Sequence, residues 1–349
     1  MMARKHPPGK DRNGEKNGLL ERAFAILGPG LITGAADDDP SGISTYSVAG
    51  AAYGYATLWI ALLTFPLMVA IQLMCARLGM VTGRGLAAAV RIYYPRWVLW
   101  GACSILVVAN VINIAADLGG MAEATQLITG IRSLIWIPVY ALFILGLLFW
   151  ASYKLIAKLF KWLTLVLFAY VFASFYAHVD WKQALAVTLV PHLEWSRGFL
   201  AVLVAILGTT ISPYLFFWQA AQEVEEEKAK DRTLARHKSA TAAELRTARA
   251  DTITGMFFSN CIMYFIILTT AATLHAHGQT DITTARQAAE ALRPLAGNGA
   301  YLLFTLGLIG TGMLGVPVLV GSCAYAVAEG TAWQGSMADK PKERASSTR

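Results

Sequence analysis

The sequence predicts an all-α, polytopic membrane protein, and three observations carry that prediction. Of its 349 residues, 56% are hydrophobic and only 15% charged, with a mean hydropathy of +0.50; soluble globular chains carry about 25% charged residues. The apolar residues gather into eight runs, most near or above the ~20 residues a helix needs to cross a bilayer. The basic residues lie between those runs with a one-sided bias.

The runs cover residues 24–50 (interrupted), 56–80, 97–128, 135–149, 155–177, 199–221 (interrupted), 252–274 and 300–328. The fourth is short and bounded by Pro138. With the N-terminus inside, all but five of the 29 Lys and Arg residues are cytoplasmic; Arg132, Lys182, Arg197, Arg286 and Arg293 fall outside. The expected topology is eight crossings with both termini cytoplasmic, in the plasma or inner membrane. The net charge of +7 is then topological, and no aromatic-basic stripe or motif points to nucleic acid. The first 22 residues are polar and basic with no cleavage-like small-residue site, so the first run is expected to remain in the mature protein.

This organisation divides the chain into a cytoplasmic tail (1–23), a first set of five spans (24–178), an outer loop (179–198), three further spans (199–328) and a second tail (329–349). The segment 223–251 is charged and carries Glu and Lys/Arg at helical spacings, the pattern of a solvated cytoplasmic helix or linker. Residues 283–292 read as a short outer helix. Cys75, Cys103, Cys261 and Cys323 all sit in apolar runs without a CxxC, which argues against disulfide and zinc frameworks.

The first run contains Asp37, Asp38 and Asp39, then Pro40, Ser41 and Gly42. Were this segment an exposed loop, each flank would be too short to span; were it a re-entrant hairpin, the basic clusters on either side would face opposite ways. A single helix broken at mid-depth satisfies both constraints. Proline ends one half-helix and starts the next, leaving backbone carbonyls free beside the carboxylates. One aspartate serves as a cap of the second half-helix on ordinary grounds. Three acids at membrane depth require more, since intramembrane acids mark ion or proton sites.

A second break, Gly208-Thr-Thr-Ile-Ser-Pro213, interrupts the sixth run. A simple proline kink, with Ser and Thr satisfying the freed backbone, is the plain alternative. The first and sixth runs open successive sets of five, however, and matching breaks of this kind point to an inverted-repeat transporter site. The third run adds Asn110, Asn113, Asp117 and Glu123. Asn113 and Asp117 share one helical face; Asp117 reads either as a proton acceptor or as an interhelical hydrogen-bond partner. All six histidines fall in loops or at span ends, and no triad, Walker loop or HExxH is present, so the chain does not read as an enzyme.

The stretch GPGLITGAADDDPSGISTYSVAGAAYGY resembles the first helix of the NRAMP divalent-metal transporters, in the NRAMP-related branch with the DDDPSG form. ADLGGMAEA in the third run, the proline break in the sixth, Asn260 in the seventh and Tyr325 to Glu329 in the eighth extend the likeness over residues 21–334. The resemblance implies a five-plus-five inverted-repeat fold and proton-linked uptake of divalent metal, with no resident cofactor. It places Asp39 as principal metal ligand, with Asp38 beside it and Gly42 where the family has an asparagine ligand. It places Thr209 as a carbonyl ligand, and Ser212-Pro213-Tyr214 where the family has Met-Pro-His. Pro40, Ser41, Gly208 and Pro213 form the breaks, Asp117 and Glu123 the proton pathway, and Tyr214 and Asn260 support the site.

Replacing a thioether by a hydroxyl moves the expected substrate from softer transition metals towards Mg²⁺ or Mn²⁺. The fold implied has at least ten spans against eight here, so the second repeat is expected to lack its last helices. Two alternatives stand beside metal transport: a non-transporting fragment or partner subunit, and a sodium-coupled organic solute carrier. The expected partners are a divalent ion, protons and membrane lipid.

Overall fold

The computed structural model describes residues 28–150, 167–177, 179–229 and 240–333, and among these every regular element is helical. The broken first helix gives α1 (Pro29–Asp37) and α2 (Pro40–Tyr53). Then come α3 (Ile60–Thr82), α4 (Leu86–Tyr93), α5 (Arg96–Thr129), α6 (Ser133–Trp150), α7 (Phe168–Tyr176) and α8 (Trp181–Leu189). The second broken helix is α9 (Arg197–Thr210) with α10 (Pro213–Ala229), followed by α11 (Ala242–Thr273) and α12 (Ala285–Gly330).

Five described segments are long and apolar enough to cross a membrane: Ile60–Thr82, Arg96–Thr129, Arg197–Glu227, Ala242–His277 and Gly297–Gly330, with the shorter apolar Ser133–Phe149 beside them. Most of the expected fifth span lies outside the described residues. Pro138, expected at the edge of its run, lies inside α6, because that helix starts at Ser133. The expected outer helix is the first part of α12. It opens with a Thr284/Gln287 capping box and is set off from the span by Gly297, whose φ of 83° only glycine adopts without strain.

The two broken helices lie at the centre, with α11 and α12 against them. Asp37 accepts a hydrogen bond from the Ser259 hydroxyl at 2.6 Å, and Asp251 accepts from Gly28 and Gly30 at the other end of α1. Contacts that advance together along both chains mean that α1 and α11 run side by side in the same direction. The approach is close because both partners are glycines: a Cβ on Gly255 would strike the Gly30 carbonyl and lie 2.9 Å from Leu31 Cα. Small residues permit such contact where lipid offers no hydrophobic drive for association. Gly255→Ala is therefore expected to lower the apparent melting temperature in detergent by several degrees. Gly208→Ala, where nothing lies within 4 Å, serves as the neutral control.

The charged segment after the sixth run departs from the solvated helix or linker expected of it at its start, whereas residues 241–250 are largely exposed and 230–239 lie outside the described residues. The helix α10 continues to Ala229 and α11 begins at Ala242 with a Thr241/Glu244 capping box. Glu223, Glu225 and Glu227 are buried. Gly79 of α3 accounts for part of this, since its missing side chain leaves room for Ala220 and Glu223 of α10. The apolar core itself is built around fully buried Tyr46, Tyr170, Phe199, Phe304 and Leu58.

Candidate metal site at the paired helix breaks

The two breaks share one backbone solution. Asp38 closes α1 at φ −88°, ψ 52°, and Ile211 closes α9 at φ −105°, ψ 58°. Each is followed by one residue, Asp39 or Ser212, and then by the proline that opens the next helix. Proline cannot donate to the carbonyl four residues back, so Pro40 releases Ala36 and Pro213 releases Thr209. Both orphaned carbonyls find hydroxyl donors. Tyr214 donates to Ala36 O at 2.8 Å, and Ser212 Oγ donates to Thr209 O at 2.6 Å and Gly208 O at 3.0 Å.

The breaks are also tied to one another by two tyrosines. The Tyr214 hydroxyl of α10 reaches Asp39 Oδ2 at 3.5 Å besides its bond to α1. The Tyr46 hydroxyl of α2 lies 3.5 Å from Thr210 Oγ1 of α9. All four residues are buried.

Asp39 is the cap of α2: its Oδ1 accepts from Gly42 N and from Ser41 Oγ, both at 2.7 Å. The capping explanation thus holds for Asp39, and it occupies one carboxylate oxygen, leaving Oδ2 with only the long contact to Tyr214. From α5, Asp117 Oδ1 accepts from Ser41 N at 3.0 Å, so Asp39 and Asp117 grip the same serine from two helices. Room for this convergence comes from glycine. A Cβ on Gly315 of α12 would lie 2.9 Å from Asp39 Cβ, and one on Gly120 would lie 3.2 Å from Pro40 Cβ.

Four carboxylate oxygens in this layer are buried without a hydrogen-bond partner: Asp37 Oδ1, both oxygens of Asp38, and Asp117 Oδ2. Carboxylates stripped of water and left without donors cost several kcal/mol each unless a cation or a proton joins them. The layer is therefore built for positive charge.

The remaining expected site residues are placed as follows. Gly42 stands against Asp39, where a Cβ would come within 3.3 Å of both Asp39 Oδ1 and Asp37 O, so no longer side chain fits without movement. The Thr209 side chain turns back to Ala205 O and Ile206 O at 3.1 Å each, and it is the carbonyl that faces Ser212. Gly208 is exposed. Glu123 is half-buried six residues beyond Asp117, about 9 Å along α5. Asn260 clamps α3, accepting from Thr64 Oγ1 at 2.7 Å and donating to Met68 Sδ at 3.0 Å. Asn110 bridges α5 to α12 through Leu319 O and Ser322 Oγ, as a polar interhelical contact should.

Three participants lay outside the expected set. Thr210 and Tyr46 link the two breaks, although Thr210 differs from its neighbour Thr209 only in the face it presents. Asp251 caps α1 from 220 or more residues away; only its position just ahead of an apolar run could have marked it.

Comparison with known proteins identifies the family and the fold. Residues 30–349 match the family model described as natural resistance-associated macrophage protein-like. A divalent metal cation transporter, MntH, of Erwinia tasmaniensis is 32% identical over 304 residues, covering 83% of this chain and 68% of that protein. MntH of Mesorhizobium japonicum is 29% identical over 303 residues, covering 84% and 65%. The chain thus spans about two thirds of the length of these relatives. In fold it is similar to the Eremococcus coleocola manganese transporter, with a TM-score of 0.72 at 20% identity over 95% of this chain and 70% of that one. It is also similar to MHP1, a nucleobase-cation-symport-1 family transporter, at a TM-score of 0.62 and 14% identity over 93% and 71%. Paired proline breaks in a helical membrane fold, matched by a family model that runs from Gly30 onwards, place this chain in the Nramp family.

Proposed function

We propose that this protein moves divalent metal cations across a membrane, with Asp39 as the principal ligand. The single observation that carries the reading is the pair of breaks with Asp39 and Asp117 closing on Ser41 between them. Two carboxylates match the charge of one divalent ion. Asp39 Oδ2, the Ala36 and Thr209 carbonyls and the Ser212 and Tyr214 hydroxyls supply oxygen around it. Relatives described as divalent metal cation transporters support the same substrate class. An organic anion fits poorly, because four unpartnered carboxylate oxygens would repel it.

The donor set favours hard ions. Carboxylate, hydroxyl and carbonyl oxygens suit Mg²⁺ and Mn²⁺, whereas thioether ligands select softer metals. Met263 packs on the second break through its sulfur, which accepts the Thr210 hydroxyl at 3.7 Å. Asp117, with one oxygen free, is the group proposed to carry a proton during transport, with Glu123 further along α5 as a relay. Both termini are proposed to face the cytoplasm.

Uptake of Mn²⁺ and Mg²⁺ into proteoliposomes tests the function, with Asp39→Ala as the control that should show no uptake above empty vesicles. Equal uptake by the two proteins would remove Asp39 from the mechanism. Selectivity has its own test. Ser212→Met should raise Cd²⁺ affinity by about tenfold or more relative to Mg²⁺, measured by competition in the same vesicles. An unchanged Cd²⁺/Mg²⁺ ratio would mean that position 212 does not face the ion.

A further inference from the structure

A cavity of about 780 Å³ lies at the ends of α2 and α11. Its walls are residues 53–56 after α2, the helix α8 with the chain that follows it, and the last residues of α11 with His275. The 14 residues of α2 from Pro40 to Tyr53 put about 20 Å of helix between the first break and this cavity. No residue assigned to the divalent site lines it.

The walls are held by contacts of their own. His275 Nδ1 donates to Ala51 O at 2.9 Å and ties the end of α11 to α2; the carbonyl can only accept, so the proton sits on Nδ1. Gly54, at φ 58°, packs on the same imidazole, and a Cβ there would lie 2.8 Å from His275 Cδ2. The Thr188 hydroxyl of α8 meets the Tyr264 hydroxyl of α11 at 3.0 Å. Tyr53 stands edge-on to Phe199 of α9, with ring centroids 5.1 Å apart. A preformed space of this size, mostly apolar with a few fixed polar groups, is the form that small-molecule sites take.

The lining sets the class of ligand. Val187, Val190, Ala271 and Ala272 give an aliphatic side, and Tyr53 and Tyr55 an aromatic one. Among the described residues that line the cavity, Asp180 is the only carboxylate, and no lysine or arginine joins it. Its Oδ1 accepts from Gln183 N at 3.0 Å, a cap that fixes the carboxylate at the exposed mouth. A carboxylate beside tyrosine rings attracts an organic cation: the acid meets its charge, and the rings and aliphatic wall cover its body. We infer that this cavity binds a small organic cation, an amine or amidine with an aromatic or short alkyl body. The ligand bridges α2, α8 and α11 and so braces the second half of the first broken helix. Its binding is independent of the metal-transport reading; the consequence that bracing slows uptake rests on it.

Equilibrium dialysis of radioactive benzamidine against the purified full chain tests the binding, with protein-free micelles as the blank. Benzamide and benzoate, of nearly the same shape, serve as neutral and anionic competitors. Benzamidine should saturate at about one per chain, benzamide should compete several-fold more weakly, and benzoate should not compete. Ala186 lines the cavity and is exposed, so Ala186→Trp fills the space without disturbing the core and should abolish binding. Asp180→Asn keeps the cap of α8 and should weaken binding about two- to fivefold, the scale of an exposed ion pair. Asp39→Asn should bind benzamidine as the wild type does. No saturable binding, equal binding in Ala186→Trp, or benzoate competing as well as benzamidine would overturn the site. So would loss of binding in Asp39→Asn, which would move the ligand to the divalent position. External benzamidine should also slow Mn²⁺ uptake into proteoliposomes by the wild type and not by Ala186→Trp; unchanged uptake at saturating benzamidine would overturn the bracing. Absence of Mn²⁺ uptake without benzamidine would count against the transport reading and leave the dialysis to decide the cavity.

Discussion

Asp39→Asn is expected to abolish divalent-metal binding while leaving the fold intact. Asparagine caps helices about as well as aspartate, so the bonds from Gly42 N and Ser41 Oγ to the side-chain oxygen survive. What disappears is the charge. Removing one charged partner from a buried ionic site costs about 3–5 kcal/mol, which corresponds to roughly a hundredfold to several-thousandfold in affinity. Mn²⁺ titration of the variant should therefore show no saturation at concentrations that fill the wild type, with melting behaviour nearly unchanged. A variant that melts early would show that Asp39 acts as a cap whose charge matters to folding.

Asp251→Ala has the largest expected effect on stability. Asp251 accepts from Gly28 N at 2.8 Å, Gly30 N at 2.7 Å and Leu31 N at 3.3 Å, which are three of the donors that the start of α1 leaves free. A hydrogen bond to a charged group contributes about 1.5–3 kcal/mol, and Gly28 at the N-cap has no side chain to cap this end of α1 itself. Loss of about 3 kcal/mol or more is expected, concentrated in α1. In hydrogen exchange, the amides of α1 should open first and those of α12 should change little. Asp251→Asn keeps one acceptor and should fall between the two. If the alanine variant exchanged like the wild type, α1 would be held by its contact with Gly255 alone.

The parts of this structure that the sequence makes legible are those with local causes. Pro40 and Pro213 dictate the breaks, because the missing N–H acts on a carbonyl only four residues away. The same holds for Gly297, which separates the outer helix from the last described span. Contacts between distant segments are not legible in that way. Nothing about Asp117 in its own helix announces that it meets Ser41, and nothing local about Asp251 shows that it caps a helix opening at Pro29. The resemblance to a family put Asp117 on the proton pathway, but it supplied neither of these pairings. Glu223, Glu225 and Glu227 misled for a related reason. Their helical spacing is that of a solvated surface, and the burial of Glu223 is permitted by Gly79 of α3, far away in sequence.

The central claim is that the paired breaks form one oxygen-lined site for a hard divalent ion, centred on Asp39. Isothermal titration of the purified protein with Mg²⁺, Mn²⁺ and Cd²⁺ tests it most directly. Mg²⁺ and Mn²⁺ should compete for a single site per chain that vanishes in Asp39→Asn, and Cd²⁺ should gain no special affinity. Tight Cd²⁺ binding that Mg²⁺ does not affect would contradict the account.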